Sequence, residues 1–278
     1  MEFKQIRYEK DPETGIVQVT LNRPKIKNAL GLLMLLDLYR AADAVEKDEN
    51  AHAMILTGAV SPENTDPAKE AFSSGMYLDF AEIESLDEET KQEVDLADLA
   101  QKRLCLKLWK LNKPVVAAIN GLAIGGGFTI PLACADLIYV SEHAWVKLPF
   151  VRLGLVPELA SSYLLPRMIG FQRAKEIMFF GERLSAERLY DLGLVNRVLP
   201  HGELMQFVIE QTCKLIPPHG AGLSVKLSKE ILHKPMIEAV TRALDLENKG
   251  LNRAFGTSDF MEALNARIAK RDPRFTGA

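Results

Sequence analysis

Glu158 is an acid in apolar company. It sits in "GLVPELASS", Gly154 to Ser162, after Val156-Pro157 and before Leu159-Ala160, and the next stretch, "YLLPRMIG", is also largely apolar. A carboxylate there has two uses. It can complement the positive end of a helix that starts just after Pro157. Or it can carry protons, its affinity for them raised because Leu155, Val156, Leu159 and Phe150 exclude water. Two glycine-bearing turns also hold candidate chemistry. In "AINGLAIGGGFTI" a strand ends, Gly125, Gly126 and Gly127 follow, and a helix begins. Unpaired N–H groups and the positive dipole end at such a start can receive an anion or a developing oxyanion. Close helix–strand packing through small residues is the other reading. In "AFSSGMYLDF", Gly75 can free the backbone N–H of Met76, or simply make an ordinary turn.

Several chemistries are excluded. No Lys-Ser/Thr follows the three glycines, so this is no triphosphate-binding loop. The G-x-G-x-x-G spacing of a dinucleotide site is absent. Ser73-Ser74 lacks the G-x-S-x-G frame of a nucleophile elbow. Cys105, Cys134 and Cys213 are scattered, and the five histidines lack ligand spacing, so no metal site is expected and the histidines are assigned packing or surface roles.

These residues need elements to hold them. The chain has 278 residues, 47% of them hydrophobic, enough for a substantial core in one large domain or two smaller ones. A formal net charge of −3 gives no basic field for nucleic acid. The sparse cysteines predict a reducing, cytoplasmic setting. "MEFKQIRYEK" has no signal-peptide core, no apolar run is long enough for a bilayer, and the terminal "FTGA" is no peroxisomal address, so no membrane association is expected. "GIVQVTLN" alternates like a strand and "RPK" turns it. "NALGLLMLLDLYRAADAVEKD" reads as a helix with Asn28 at its N-cap. "AMILTG", "KPVVAAIN", "ADLIYVSE" and "AWVKLPF" read as further strands, and "AVSPENTDPAKE" as a polar loop. "DFAEIESLDEETKQEVDLADL" reads as an acidic, solvated helical stretch. "QRAKEIMFFGERLSAERLYDLGLV" predicts two helices parted by Gly181, and the chain reads as mainly helical from about residue 202. The sum is an α/β core followed by a helical C-terminal part.

The segments "NRPKIKNAL", "FSSGMYL", "INGLAIGGG", "PELASSYLLPRMIG" and "DLGLVNRV" occur in this order. The set resembles the crotonase superfamily, the enoyl-CoA hydratase/isomerase family, from about residue 13 to the closing "KRDPRF". The resemblance implies a spiral of β-β-α turns over residues 1–200 carrying an acyl-CoA site. It implies a helical assembly region over 201–278, packed in a homotrimer or a homohexamer made of two trimers. Within that region, Val208, Leu215, Leu227, Ile231 and Leu232 are the expected packing positions. The ligand implied is a coenzyme A thioester, bound as substrate, with no permanently held cofactor. The backbone N–H groups of Met76 and Gly126 would hold the thioester oxygen, in turns built with Ser74, Gly75 and Gly125. Proton removal beside a thioester carbonyl pushes charge onto that oxygen, and two preorganised donors stabilise it. Phe150 would wall the acyl pocket. Lys25 and Lys27, with Arg23, are the expected partners of the CoA phosphates, and Lys270 with Arg271 a second group.

Members of the family differ in their acids. Hydratases carry two glutamates; here Thr129 and Phe150 stand at those places, and no acid lies between Gly127 and Ala135. "PELASSY" is similar to the Δ3,Δ2-enoyl-CoA isomerase branch, whose glutamate alone moves a proton from C2 to C4. Tyr77 stands where many hydratases carry Asp and resembles the 4-chlorobenzoyl-CoA dehalogenase branch. That branch uses an Asp nucleophile and a His base. Here the acid is Glu158, and no His lies between Met76 and Asn120. A hydratase-like lyase or a thioester hydrolase stays open. So does a non-catalytic acyl-CoA or partner-binding module, against which the three glycines and Glu158 speak. Were the protein a hydratase, Asp79 and Glu82 would be the first acids to consider.

Overall fold

A computed structural model describes residues 3–77, 84, 86–93 and 99–278. Among the described residues, ten strands form two sheets. The wide sheet holds β1 (Ile6–Lys10), β2 (Ile16–Leu21), β3 (Ala53–Gly58), β5 (Val115–Ile119), β7 (Leu137–Ser141) and β10 (Arg197–Leu199), neighbours in that order. The narrow sheet holds β4 (Ala71–Ser73), β6 (Leu122–Ile124), β8 (Trp145–Lys147) and β9 (Leu184–Ser185). Pairing is parallel except for β1 with β2 and β8 with β9. Parallel neighbours need a crossover, and the chain provides it three times: a wide-sheet strand, a narrow-sheet strand, then a helical return. This is the spiral of β-β-α turns that the resemblance implies.

Burial explains why the wide-sheet strands read as continuous apolar runs. β3 and β5 are buried along their whole length. Their side chains alternate between two cores. Met54, Leu56, Val115 and Ala117 enter the main core with α1 (Leu32–Lys47). Ala53, Ile55, Val116 and Ala118 enter a second core on the other face. After α2 (Glu88–Glu93), α3 (Cys105–Lys110), α4 (Gly126–Cys134), α5 (Ser161–Ile169), α6 (Phe171–Phe180) and α7 (Ala186–Asp191), helix α8 (Leu204–Cys213) covers that second face. Its Val208 is fully buried there, in the chain's own core, and Leu215 is partly buried against the same core. On α9 (Gly222–His233) the outcome differs. Leu227, Ile231 and Leu232 are exposed, with Leu223 beside them one turn earlier. Helices α10 (Ile237–Phe255) and α11 (Ser258–Ile268) follow. Among the described residues no helix is long and apolar enough to cross a membrane.

Most of the acidic stretch, with Asp79 and Glu82, lies outside the described residues. Arg271 is committed to Glu262 through two bonds of 2.6 and 2.8 Å, and this pair holds the Glu262 carboxyl down at a pKa of about 2. Asn28 does not cap α1: the helix starts after Gly31, whose backbone is the cap. Asn28 is instead fully buried. Its amide donates to the carbonyls of Ala59 (2.9 Å) and Ala71 (2.8 Å) and accepts from the N–H of Arg23 (3.0 Å). One side chain thus ties the first loop to the end of β3 and the start of β4. Asn28→Ala leaves two buried carbonyls unpaired and should destabilise the fold by about 2–4 kcal/mol. An unshifted urea midpoint would show that these carbonyls find other donors.

Candidate active site

Two backbone turns meet at the end of β4 and β6. In the first, the Ser73 hydroxyl donates to the Asn28 carbonyl (2.7 Å) and accepts from the Gly75 N–H (3.2 Å). Ser74 donates its N–H to Lys27 and its hydroxyl to the Ile26 carbonyl, so its side chain fastens this turn to the Lys25–Lys27 loop. Leu30 donates to the Gly75 carbonyl and accepts from the Tyr77 N–H, a parallel bridge centred on Met76. In that bridge the N–H of Met76 itself faces away from Leu30. In the second turn, Gly125 (φ 50°) caps α4, and its carbonyl accepts from Phe128 and Thr129. Gly126 is the first helical residue, so its N–H has no intrahelical acceptor.

The turns touch backbone to backbone. Gly75 has φ 87°, and a Cβ there would collide with the Ile124 carbonyl. A Cβ on Gly127 would lie 2.6 Å from the Ser73 carbonyl oxygen. Side chains at either place would wedge the turns apart.

Glu158 reaches this junction from a third element. Beyond β8 the chain makes a 3-10 turn at Val151–Leu153 and reverses at Gly154. Leu159 and Ala160 are both left-handed, with φ of 55° and 59°. Each such residue costs about 1–2 kcal/mol. Glu158 is 9% exposed, and its Oε1 lies 3.3 Å from where a Gly126 Cβ would be and 3.7 Å from where a Gly125 Cβ would be. Leu30, Phe150 and Leu159 supply carbon beside the same two glycines. The absence of side chains on Gly125 and Gly126 lets the carboxylate approach the main chain.

The start of α5 is served by a different acid. Helix α5 begins at Ser161, and the N–H groups of Ala160 and Ser162 are taken by Glu247 of α10, at 2.7 and 2.9 Å. Burial pushes the Glu247 carboxyl pKa up, against the opposing effect of its bonds with Ser162 and Ala160. Thr129 is fully buried and donates to the Gly125 carbonyl. Phe150 is buried hydrocarbon. Neither position holds a carboxyl.

Lys25 and Lys27 line an open cavity of about 530 Å³, together with Pro24, Ser61, Lys69 and Glu70. Lys69 comes from a stretch with the composition of a polar loop, and nothing in that stretch marks it as a neighbour of the other two lysines. Glu247 had no local signal at all, since its partner Ala160 is 87 positions away. Among the described residues no cluster could hold a metal ion.

Comparison with known proteins agrees with this architecture. The family model described as Enoyl-CoA hydratase/isomerase matches residues 11–278. The chain is 32% identical over 271 residues to the short-chain-enoyl-CoA hydratase of Clostridium acetobutylicum, covering 98% of this chain and 97% of that protein. It is 29% identical to the 1,2-epoxyphenylacetyl-CoA isomerase of Escherichia coli, covering 95% and 96%. An enoyl-CoA hydratase/isomerase structure from Pseudoalteromonas atlantica superposes with a TM-score of 0.82 at 29% identity, covering 98% of this chain and 100% of that one.

The contact between the turns makes a direct prediction. Gly75→Ala combines a forced left-handed φ with a collision and should destabilise by about 1–3 kcal/mol. Gly193 shares the positive φ (73°) but faces open space, so Gly193→Ala isolates the conformational part. Equal losses in urea denaturation would mean that the Ile124 carbonyl yields freely.

Proposed function

The chain belongs to the enoyl-CoA hydratase/isomerase family and is an acyl-CoA enzyme, and from that premise we propose that it moves the double bond of a 3-enoyl-CoA to the 2-position with Glu158 as the single proton carrier. The thioester oxygen sits against the N–H groups of Met76 and Gly126. The Glu158 carboxylate takes a proton from C2. The electron pair left behind delocalises over the thioester oxygen and the neighbouring double bond as a dienolate. The carboxylic acid then returns the proton to C4, which places the new double bond between C2 and C3. Charge on the oxygen peaks between these steps, and each aligned donor contributes about 3–4 kcal/mol on the scale of known oxyanion sites. The observation that carries the reading is the placement of Glu158 Oε1 over Gly125–Gly126, with Thr129 and Phe150 where a second acid would have to be.

A second reading is hydration of a 2-enoyl-CoA. Several related proteins are named as hydratases, which favours it. Hydration handles protons at two centres and needs a positioned water, a task for which hydratases of this family use two acids. Turnover of 3-enoyl-CoA and 2-enoyl-CoA, measured side by side with the purified protein, separates the two. Efficient hydration without double-bond migration would overturn the isomerase reading.

Two variants test the parts. Glu158→Gln keeps the size of the side chain and removes the proton carrier. Turnover of 3-enoyl-CoA should fall about 10²–10⁴-fold, with acyl-CoA affinity and melting temperature nearly unchanged. A wild-type rate in this variant would remove Glu158 from the chemistry.

Lys25 and Lys27 line the cavity proposed for the CoA phosphates. Replacing both with Ala should raise KM about tenfold at low salt through lost charge-assisted contacts. The difference should shrink as salt screens the charges. An unchanged KM at low salt would place the phosphates elsewhere.

A further inference from the structure

Glu247 is an acid that the proposed chemistry does not use. It lies on α10 and is 4% exposed. Its Oε2 accepts the Ala160 N–H at 2.7 Å and its Oε1 accepts the Ser162 N–H at 2.9 Å. Both oxygens therefore serve the first turn of α5. That turn has no local cap: Ala160 has no side chain for the task, and the buried Ser161 hydroxyl makes no hydrogen bond. The unpaired donors of a helix start are thus satisfied from a helix 87 positions away.

The same contact reaches Glu158. The Glu158 carbonyl accepts the Ser161 N–H at 3.0 Å, across the two left-handed residues Leu159 and Ala160. The segment is thereby held from inside by its own turn and from outside by the two Glu247 oxygens. On the other side of Glu158, Val156 packs on Gly250, three positions after Glu247 on α10; a Cβ on that glycine would lie 3.0 Å from Val156 Cγ2. Helix α10 therefore touches the chain both before and after Glu158. A two-point carboxylate bond fixes rotation as well as distance, and orientation is what a base over a two-glycine ledge needs.

We propose that Glu247 is a positioning residue for Glu158: its two oxygens hold the Leu159–Ala160 turn in the one shape that aims the Glu158 carboxylate at Gly125–Gly126. This rests on the proton-shuttle reading of Glu158. It makes the aim of the base depend on a helix of the C-terminal region that carries no atom of the chemistry.

The test is a double-mutant cycle on 3-enoyl-CoA turnover with Glu247→Gln and Glu158→Gln. Glutamine keeps the volume but presents an NH2 group to one of the two N–H donors. Glu247→Gln should lower kcat about 10–100-fold, the effect of a misplacement near 1 Å, with KM shifted less than about threefold. The double variant should be no more than about twofold slower than Glu158→Gln alone, because Glu247 acts only through Glu158. Glu247→Asp, shorter but still charged, should recover part of the loss. A wild-type kcat in folded Glu247→Gln, with only its melting temperature lowered, would overturn the proposal. Multiplying effects in the double variant would do the same. Failure of the shuttle reading shows separately, as a wild-type rate in Glu158→Gln. If Glu247→Gln does not fold, Glu247→Asp is read in the same cycle. If neither folds, the carboxylate is a folding requirement, and the positioning claim falls.

Discussion

The contact between two bare stretches of main chain, Ser73–Met76 and Ile124–Gly127, is the constraint on which the site depends. A side chain at Gly75 or Gly127 would enter the backbone of the opposing turn. The spiral makes the meeting possible, because β4 and β6 pair in parallel and so deliver their ends to the same edge. The buried polar groups then hold the register. Asn28 joins β3, β4 and the first loop, and Ser73 passes that restraint on to Gly75. On the proposed reading this rigidity serves the chemistry, since donors that must reorganise during the reaction stabilise the developing charge less.

Elements with strong local signals were legible in the amino-acid sequence. β3 and β5 lie buried on both faces and so appear as unbroken apolar runs. α4 starts within the run of three glycines and is buried all round. Elements that exist only through their neighbours were not legible. β1, "IRYEK", is a half-exposed edge strand that pairs only with β2. β4 and β6 have three residues each, too short for any periodicity to show. Asn28 was misread for the same reason. Its type and its place before an apolar run match an N-cap, yet its amide partners lie 31 and 43 positions away.

In the site, the order of the motifs pointed to Met76, Gly126 and Glu158, and these come from the three elements that converge on the glycine junction. Lys69 and Glu247 were hidden because their relevance is purely spatial. A lysine in a polar loop and a glutamate on an amphipathic helix look like solvated surface. Burial is what separates Glu247 from such residues, and burial of a charge is a tertiary fact.

The energetics of the Glu158 segment show what the Glu247 contact is for. Two left-handed non-glycine residues cost about 2–4 kcal/mol together. Two charge-assisted N–H bonds return about 1.5–3 kcal/mol each, with the exchange of water already counted. The two sums overlap, so the arrangement yields only a small net stability. A serine or aspartate at position 160 would cap α5 locally with no distant partner. The chain instead has Ala160 in a strained conformation and a buried acid from α10. Stability alone does not select that solution. On the proposed reading, what it provides is a fixed direction for Glu158, keeping its Oε1 beside Gly125 and Gly126 instead of turned outward to water.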